Sequence, residues 1–485
     1  MHKGIRAGLI ATGLIVLAYP AGAWLIGVIV EGQIERREQQ ALERAPYLVL
    51  VRRDYRRGVY ASTEELTYAL RGPLASALGV APVANKPRTW QVQVRNTIHH
   101  GPLPQLRTVA LATIDTEVPL PPELQTTLGP SLGGQPLVSG RARMGWSGSS
   151  SAVLTSPPFE AQLAQGSTLR WRGLQMSVSS TRDQRAWSLE ASAPGLTLGN
   201  GKFRIRSDDL RVHAVMRRLF TELDVGTSGA SLAQLDFEAI GAGGAVSMQR
   251  ISLESASSME GDYVDSKVAL TIAKLHGGAF TASDLGYTVA LNHLHAQALA
   301  ALTREVRAAA RDLYAGSDTG SVTGTRTRWT AGAGISSASF NPVAMGGIIN
   351  PAQQKMLDVF RRDGMELLLH EPILEIPHLG FQTADGQFSL SLKLSAPGLT
   401  REDLKGPAPL ASLIPHLNAV ADLRVDTALL DSLFQDTARH DQMTSQLNAL
   451  EAQGFLKRDG AALAAHILLS GGHVSVNGQP YPPRR

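Results

Sequence analysis

The side chains best suited to chemistry in this chain are its paired histidines, and their spacing decides what they can do. His99-His100 are adjacent, and two imidazoles could act as a base or as metal ligands. Consecutive residues on a strand point to opposite faces, so that pair cannot grip one ion, and the following Gly101-Pro102-Leu103-Pro104 reads as a turn. His293 and His295 share a face at i and i+2, but the neighbouring sequence offers neither a carboxylate nor a third histidine. A solvated or helix-capping pair is the expectation. The basic run Arg52-Arg53-Asp54-Tyr55-Arg56-Arg57 could touch acidic headgroups; an ordinary solvated turn, with Tyr55 and Tyr60 holding it to a sheet, is the preferred reading.

No phosphate-binding loop, His-Glu-x-x-His zinc site, Gly-x-Ser-x-Gly elbow or EF-hand loop occurs, and Gly332-Ala333-Gly334 lacks the continuation of a dinucleotide loop. With no cysteine, disulfides, thiolate metal sites, a cysteine nucleophile and a lipidated N-terminal cysteine are all excluded. The sequence therefore nominates no catalytic, cofactor-binding or metal-binding residue, and the chain is expected not to be an enzyme. A net charge of +4 without a basic cluster argues against nucleic acid.

The elements that would position these groups follow from periodicity. Alternation marks strands at Trp90–Val94, Phe203–Ile205, Val268–Ile272, Tyr287–Leu291 and, most cleanly, Phe388, Leu390, Leu392 and Leu394. Such patterning means antiparallel sheets with one apolar and one wet face. Helical spacing appears at Leu299–Leu313, about Pro351–Phe360 and about Asp426–Gln453. The fold class is α+β, dominated by antiparallel strands with packed helices. A literal repeat, Ser192–Thr197 and Ser395–Thr400 (Ser-Ala-Pro-Gly-Leu-Thr), predicts two equivalent hairpins leading into Pro-Gly corners.

From Gly8 to Val30 run 23 residues without a charge, enough for a transmembrane helix. Lys3 and Arg6 precede the run and mixed charges follow it, which keeps the N-terminus cytoplasmic and exports the body. Pro20 should kink the helix. A cleaved signal peptide ending at Ala21-Gly22-Ala23 is the rival, disfavoured because the apolar run continues to Val30. The expected organisation is a cytoplasmic tip (1–7), an anchor (8–30), a stalk helix or linker (31–54), a first β-rich lobe (55–290) and a second with helices (291–485).

Four segments carry a resemblance across the chain: Trp24-Leu25-Ile26-Gly27 closing the span; Tyr55-Arg56-Arg57-Gly58 with Ser62; Ile98-His99-His100-Gly101-Pro102 with Pro104; and His473-Val474-Ser475-Val476-Asn477-Gly478. In this set and order the chain resembles the YdgA family of bacterial envelope proteins. That resemblance implies location in the cell envelope and topology, and brings no reaction with it. The functional expectation is an inner-membrane-anchored periplasmic protein that binds lipids or other hydrophobic ligands on a curved sheet. The alternative is an envelope scaffold or assembly factor acting through protein partners or self-association.

Overall fold

The computed structural model describes residues 2–45, 47–70, 90–163, 166–240, 244–278, 280–316, 358–359, 362, 364–404, 412–433 and 437–481, with the side chains of 2–18 outside the description. Two expectations, the helix at Pro351–Phe360 and the glycine-rich loop at Gly332–Gly334, fall wholly or mostly outside these residues. Chain contacts define two compact units, one built on Met1–Leu198 and the other on Gly199–Glu305 and Gln354–Arg485. The division falls at Leu198, not near residue 290 where the sequence suggested it.

The first unit begins with helix α1 (His2–Arg44), which runs through Pro20 and past the end of the apolar stretch. Among the described residues no helix is long and apolar enough to cross a membrane. An antiparallel sheet follows: β1 (Leu48–Arg56), β2 (Ala61–Leu70), β3 (Trp90–His100), β4 (Ala112–Val118), β5 (Val138–Met144) and β6 (Ser150–Ser156) pair in order. Helix α2 (Gln125–Leu132) lies between β4 and β5 in the chain. It packs Leu128 and Leu132 against Ala161 of the short hairpin β7 (Phe159–Gln162) and β8 (Thr168–Trp171). Strand β9 (Leu174–Ser180) then pairs with both β6 and β10 (Ala186–Gly199).

The expected stalk at 31–54 is a different structure. Residues 31–44 continue α1 along the sheet, and 48–56 form β1. The spacing explains the docking, because Ala23, Ile26 and Val30 lie three and four apart on one helical face and bury against Ile98, Leu111, Ala112 and Met144.

The second unit is a long antiparallel meander. Strands β11 (Phe203–Arg218), β12 (Asp224–Ala239), β13 (Gly244–Glu260), β14 (Tyr263–Gly277) and β15 (Phe280–His295) are each 15–17 residues long. Helix α3 (Ala296–Gly316) realises the periodicity read at Leu299–Leu313, and a short turn of helix, α4 (Met365–Leu368), precedes the next strands. β16 (Ile373–Thr383), β17 (Gly386–Ser395) and β18 (Asn418–Asp426) extend the same sheet. The helix read over Asp426–Gln453 is two described segments, α5 (Thr427–Leu433) and α6 (Thr437–Ala452). β19 (Lys457–Asp459), β20 (Ala462–Ser470), β21 (His473–Val476) and β22 (Gln479–Tyr481) complete it, with β20 pairing to β18.

The repeat fails. Ser192–Thr197 continues inside β10 as extended chain, whereas Ala396–Thr400 leaves β17 as a turn around Gly398 at φ 68°. Only the hairpins that precede the two copies correspond, β9–β10 and β16–β17.

Candidate functional site

Two arrangements could carry chemistry, one buried beneath α1 and one on the face of the long meander. Under α1, strand β2 alternates strictly, with Ser62, Glu64 and Leu66 buried and Ala61, Thr63 and Glu65 exposed. β3 brings Asn96, Ile98 and His100 to the same face, because Ser62 pairs with Ile98 and Glu64 with Asn96. His100 is 2% exposed; its Nδ1 lies 2.9 Å from the Ala23 carbonyl and its Nε2 3.0 Å from Ser62 Oγ. A neutral ring satisfies both, with Nδ1 donating to the carbonyl and Nε2 accepting from the serine. Burial pushes the His100 pKa below its ordinary value, outweighing the carbonyl that favours the cation. Gly27 permits this, since a Cβ there would come within 2.6 Å of the imidazole.

Beside it, Glu64 accepts from Arg53 Nε at 3.0 Å and from Asn96 Nδ2 at 2.9 Å, and Asn96 Oδ1 accepts from Thr116 at 2.8 Å. Arg53 also faces Glu35 and Glu38 on α1 at 3.3 and 3.8 Å. Burial lowers its pKa, but Glu64 with the helix carboxylates more than reverses this and leaves it raised. Tyr68 donates to Glu38 at 2.7 Å, and burial together with that bond holds its phenol well above the usual range. Arg57 pairs with Glu31 and lies over the Trp24 ring at 5.8 Å.

The basic run is therefore split by strand alternation. Arg53 and Tyr55 turn inward while Arg52 and Arg56 stay in solvent; the run is strand β1 rather than the turn expected of it, and only its outward residues are solvated. Sequence reasoning missed that Glu31, Glu35 and Glu38, one helical turn apart, are the partners of Arg57 and Arg53. The complementary spacing was the available signal. His99 points away from His100, as the strand period predicts, and lies 3.6 Å from Asp115. Ser62 and His100 are sealed under the helix, so their hydrogen bond fixes α1 on the sheet rather than activating a nucleophile.

His293 and His295 both lie against Tyr263. His293 has φ 61°, which breaks the alternation, and its ring stacks on Tyr263 at 3.8 Å while His295 meets Tyr263 edge-on at 5.9 Å. The structure supplies the third histidine that the local sequence lacked: His370, 3.9 Å from His295 and stacked on it, with its backbone carbonyl 3.0 Å from His293 Nδ1. Stacked rings present faces rather than lone pairs to each other, and among the described residues no group of three ligands could hold a metal. Burial, and next the neighbouring His295, lowers the His370 pKa. In the C-terminal motif, Asn477 accepts from His466 N at 2.9 Å and donates to the Gly454 and Phe455 carbonyls, a structural clasp.

The face of the meander is the larger feature. Across β11–β15 the ladder lapses in one row, at Asp209, Ala233, Arg250, Ala273 and Asp284, without changing register. Asp209, Arg250 and Asp284 adopt positive φ there. In β15 this kink inverts the alternation. Phe280 packs edge-on against Phe381, Tyr287 pairs with Leu379, and Phe381 and Leu379 lie two apart on β16. The apolar residues on both sides of the kink thus share one face. Its rows run Val212–Ala230–Leu253–Leu270–Tyr287–Leu379–Leu390–Leu423 and Ile205–Phe237–Val246–Gly277–Phe280. All the second-unit strand patterns legible in the sequence, including Phe388, Leu390, Leu392 and Leu394, contribute to it.

The opposite face is polar. It carries Arg204–Glu238, Arg206–Asp208 and His213–Glu254 pairs and the Ser247–Asp236 bond. Several side chains of the apolar face are open: Leu253 remains 45% and Tyr287 40% exposed, and Leu210, Phe237, Val268 and Leu291 are similarly exposed. At roughly 3.3 Å per residue and about 4.8 Å between strands, the five strands have a footprint on the order of 1,000 Å², of which the exposed side chains leave only a part in water. Monomers rarely expose more than a few hundred Å² of contiguous apolar surface.

Fold and site together define an antiparallel β-meander protein whose N-terminal helix is locked to the strands of its first unit and whose second unit has an apolar strand face with exposed side chains. The chain belongs to the family described as Bacterial protein of unknown function (DUF945), whose model matches residues 1–484. No curated protein and no solved structure matches it.

Proposed function

We propose that this protein is a membrane-anchored component of the bacterial envelope that holds lipid acyl chains on the apolar face of its second unit. This reading is in keeping with the resemblance to the YdgA family. The observation that carries it is the face itself: a row of ladder lapses crosses five strands, with positive φ in three of them, and preserves one-sidedness, while Leu253, Tyr287 and several neighbours on that face stay exposed. Apolar area left in water costs about 25 cal/mol per Å², so the exposed part of this face favours being covered. A flexible acyl chain lying along the strands removes that area without needing polar contacts. The anchor is the uncharged segment Gly8–Val30, with the N-terminus cytoplasmic and the body periplasmic; the support is the flanking charge of Lys3 and Arg6.

The test is mass spectrometry of lipid bound to the full-length protein, with Leu253→Glu and Tyr287→Glu as the comparison. Wild type retains phospholipid above its annular lipid, and both variants fold but lose that excess. Equal lipid in all three removes the face from consideration. Loss of a co-purifying protein instead would favour the scaffold reading.

A further inference from the structure

A transmembrane helix needs about 20 residues, so a span starting after Arg6 would end near Ile26. Docking of α1 on the first unit starts well before that. Tyr19 Oη donates to the Leu103 carbonyl at 3.1 Å, and its ring lies 6.0 Å from Tyr60. Gly101, at φ 131°, is close enough that a Cβ would meet Ala23 Cβ at 3.3 Å. The segment between Tyr19 and Ile26 is thus claimed by bilayer and body at once.

Both claims are met if the body enters the membrane surface. We propose that this end of the first unit is immersed in the lipid headgroup layer, with the β1–β2 and β3–β4 turns inserted beside the helix as a collar. The inference rests on the anchor part of the proposed function and not on the acyl-chain face. The turns have the right chemistry: Val59 and Tyr60 sit on one and Leu103 and Val109 on the other, and Tyr60 is 50% and Val109 62% exposed. Leu25 and Ile29 continue this apolar surface on the outward side of the helix. Arg56 and Arg107 are exposed next to the turns, where phosphate groups would lie. Tyrosine and tryptophan favour this layer because their rings are apolar and their tips polar, and Trp24 carries Arg57 over its face.

The chain has no cysteine, so single cysteines report unambiguously. Full-length protein bearing a thiol-linked fluorophore at Leu25→Cys, Tyr60→Cys, Val109→Cys or Trp146→Cys is reconstituted into phosphatidylethanolamine–phosphatidylglycerol vesicles containing headgroup-nitroxide lipid. Trp146 is the control, on the turn where Arg37 donates to the Gly148 carbonyl, about 20 Å along the helix from Ala23 at 1.5 Å per residue. Quenching at 25, 60 and 109 but not at 146 is the expected result. Quenching at 25 alone overturns the collar and leaves the anchor standing. No quenching at 25 overturns both.

Discussion

His100 ties the helix to the sheet through its neutral form, and this gives stability a defined pH dependence. Its folded pKa lies below the unfolded value of about 6.5, so the unfolded chain takes up protons first as pH falls. Its contribution is complete above that value and is lost as pH falls through the folded pKa. His370, depressed in the same direction, adds to the trend in the second unit. The unfolding midpoint of wild type should therefore drop more between pH 7 and pH 5 than that of His100→Gln. Gly27→Val tests the same contact sterically: with a Cβ driven to 2.6 Å from the ring, it should cost about 1–3 kcal/mol by chemical denaturation. Glu64→Ala removes the fully buried partner shared by Arg53 and Asn96 and leaves Arg53 to Glu35 and Glu38, so it should cost more than Arg95→Ala at the neighbouring exposed pair, measured by chemical denaturation. The opposite orientation of His99 and His100 was legible from strand spacing alone. That the Ala23 carbonyl, 77 residues away, accepts a hydrogen bond from His100 Nδ1 was not, because no local pattern encodes which helix face covers a sheet.

Among elements, the kink row across β11–β15 has the clearest sequence consequence. A non-glycine residue in the left-handed region is strained by roughly 1–2 kcal/mol, more when β-branched. Asp284 at φ 53° should accept glycine with no loss, whereas Asp284→Val should lower the melting temperature. Deleting Asp284 instead should exchange the faces of the adjoining half-strand, because one residue is half of the two-residue side-chain period. The alternation at Val268–Ile272 and Tyr287–Leu291 showed these strands without the structure. The inversion at Asp284 was hidden because Asp is an ordinary turn residue. The Ser-Ala-Pro-Gly-Leu-Thr repeat misled for a related reason: Pro-Gly turns the chain after β17, where no further ladder competes, but is drawn straight in β10. The polar stretch Glu31–Ala45 read as a stalk because its charges looked solvated; Arg53, Arg57 and Tyr68 consume three of its carboxylates.

At the scale of the whole molecule, periodicity reports which face of a strand is apolar but not whether anything covers it. That difference separates a sealed core from a ligand surface, and the exposure of Leu253 and Tyr287 is what supports the proposed ligand surface. A charge at either position should be tolerated, shifting stability by no more than about 1 kcal/mol, where a sealed core would lose several. The decisive measurement is covalent mapping. Full-length protein in bacterial membranes is irradiated with a phospholipid bearing a photoreactive group on its acyl chain, and modified peptides are located by mass spectrometry. Acyl-chain binding on the meander predicts label within β13–β15, at residues such as Leu253, Leu270 and Tyr287, and its loss in Leu253→Glu. Label confined to α1, with β13–β15 unmodified, would contradict it.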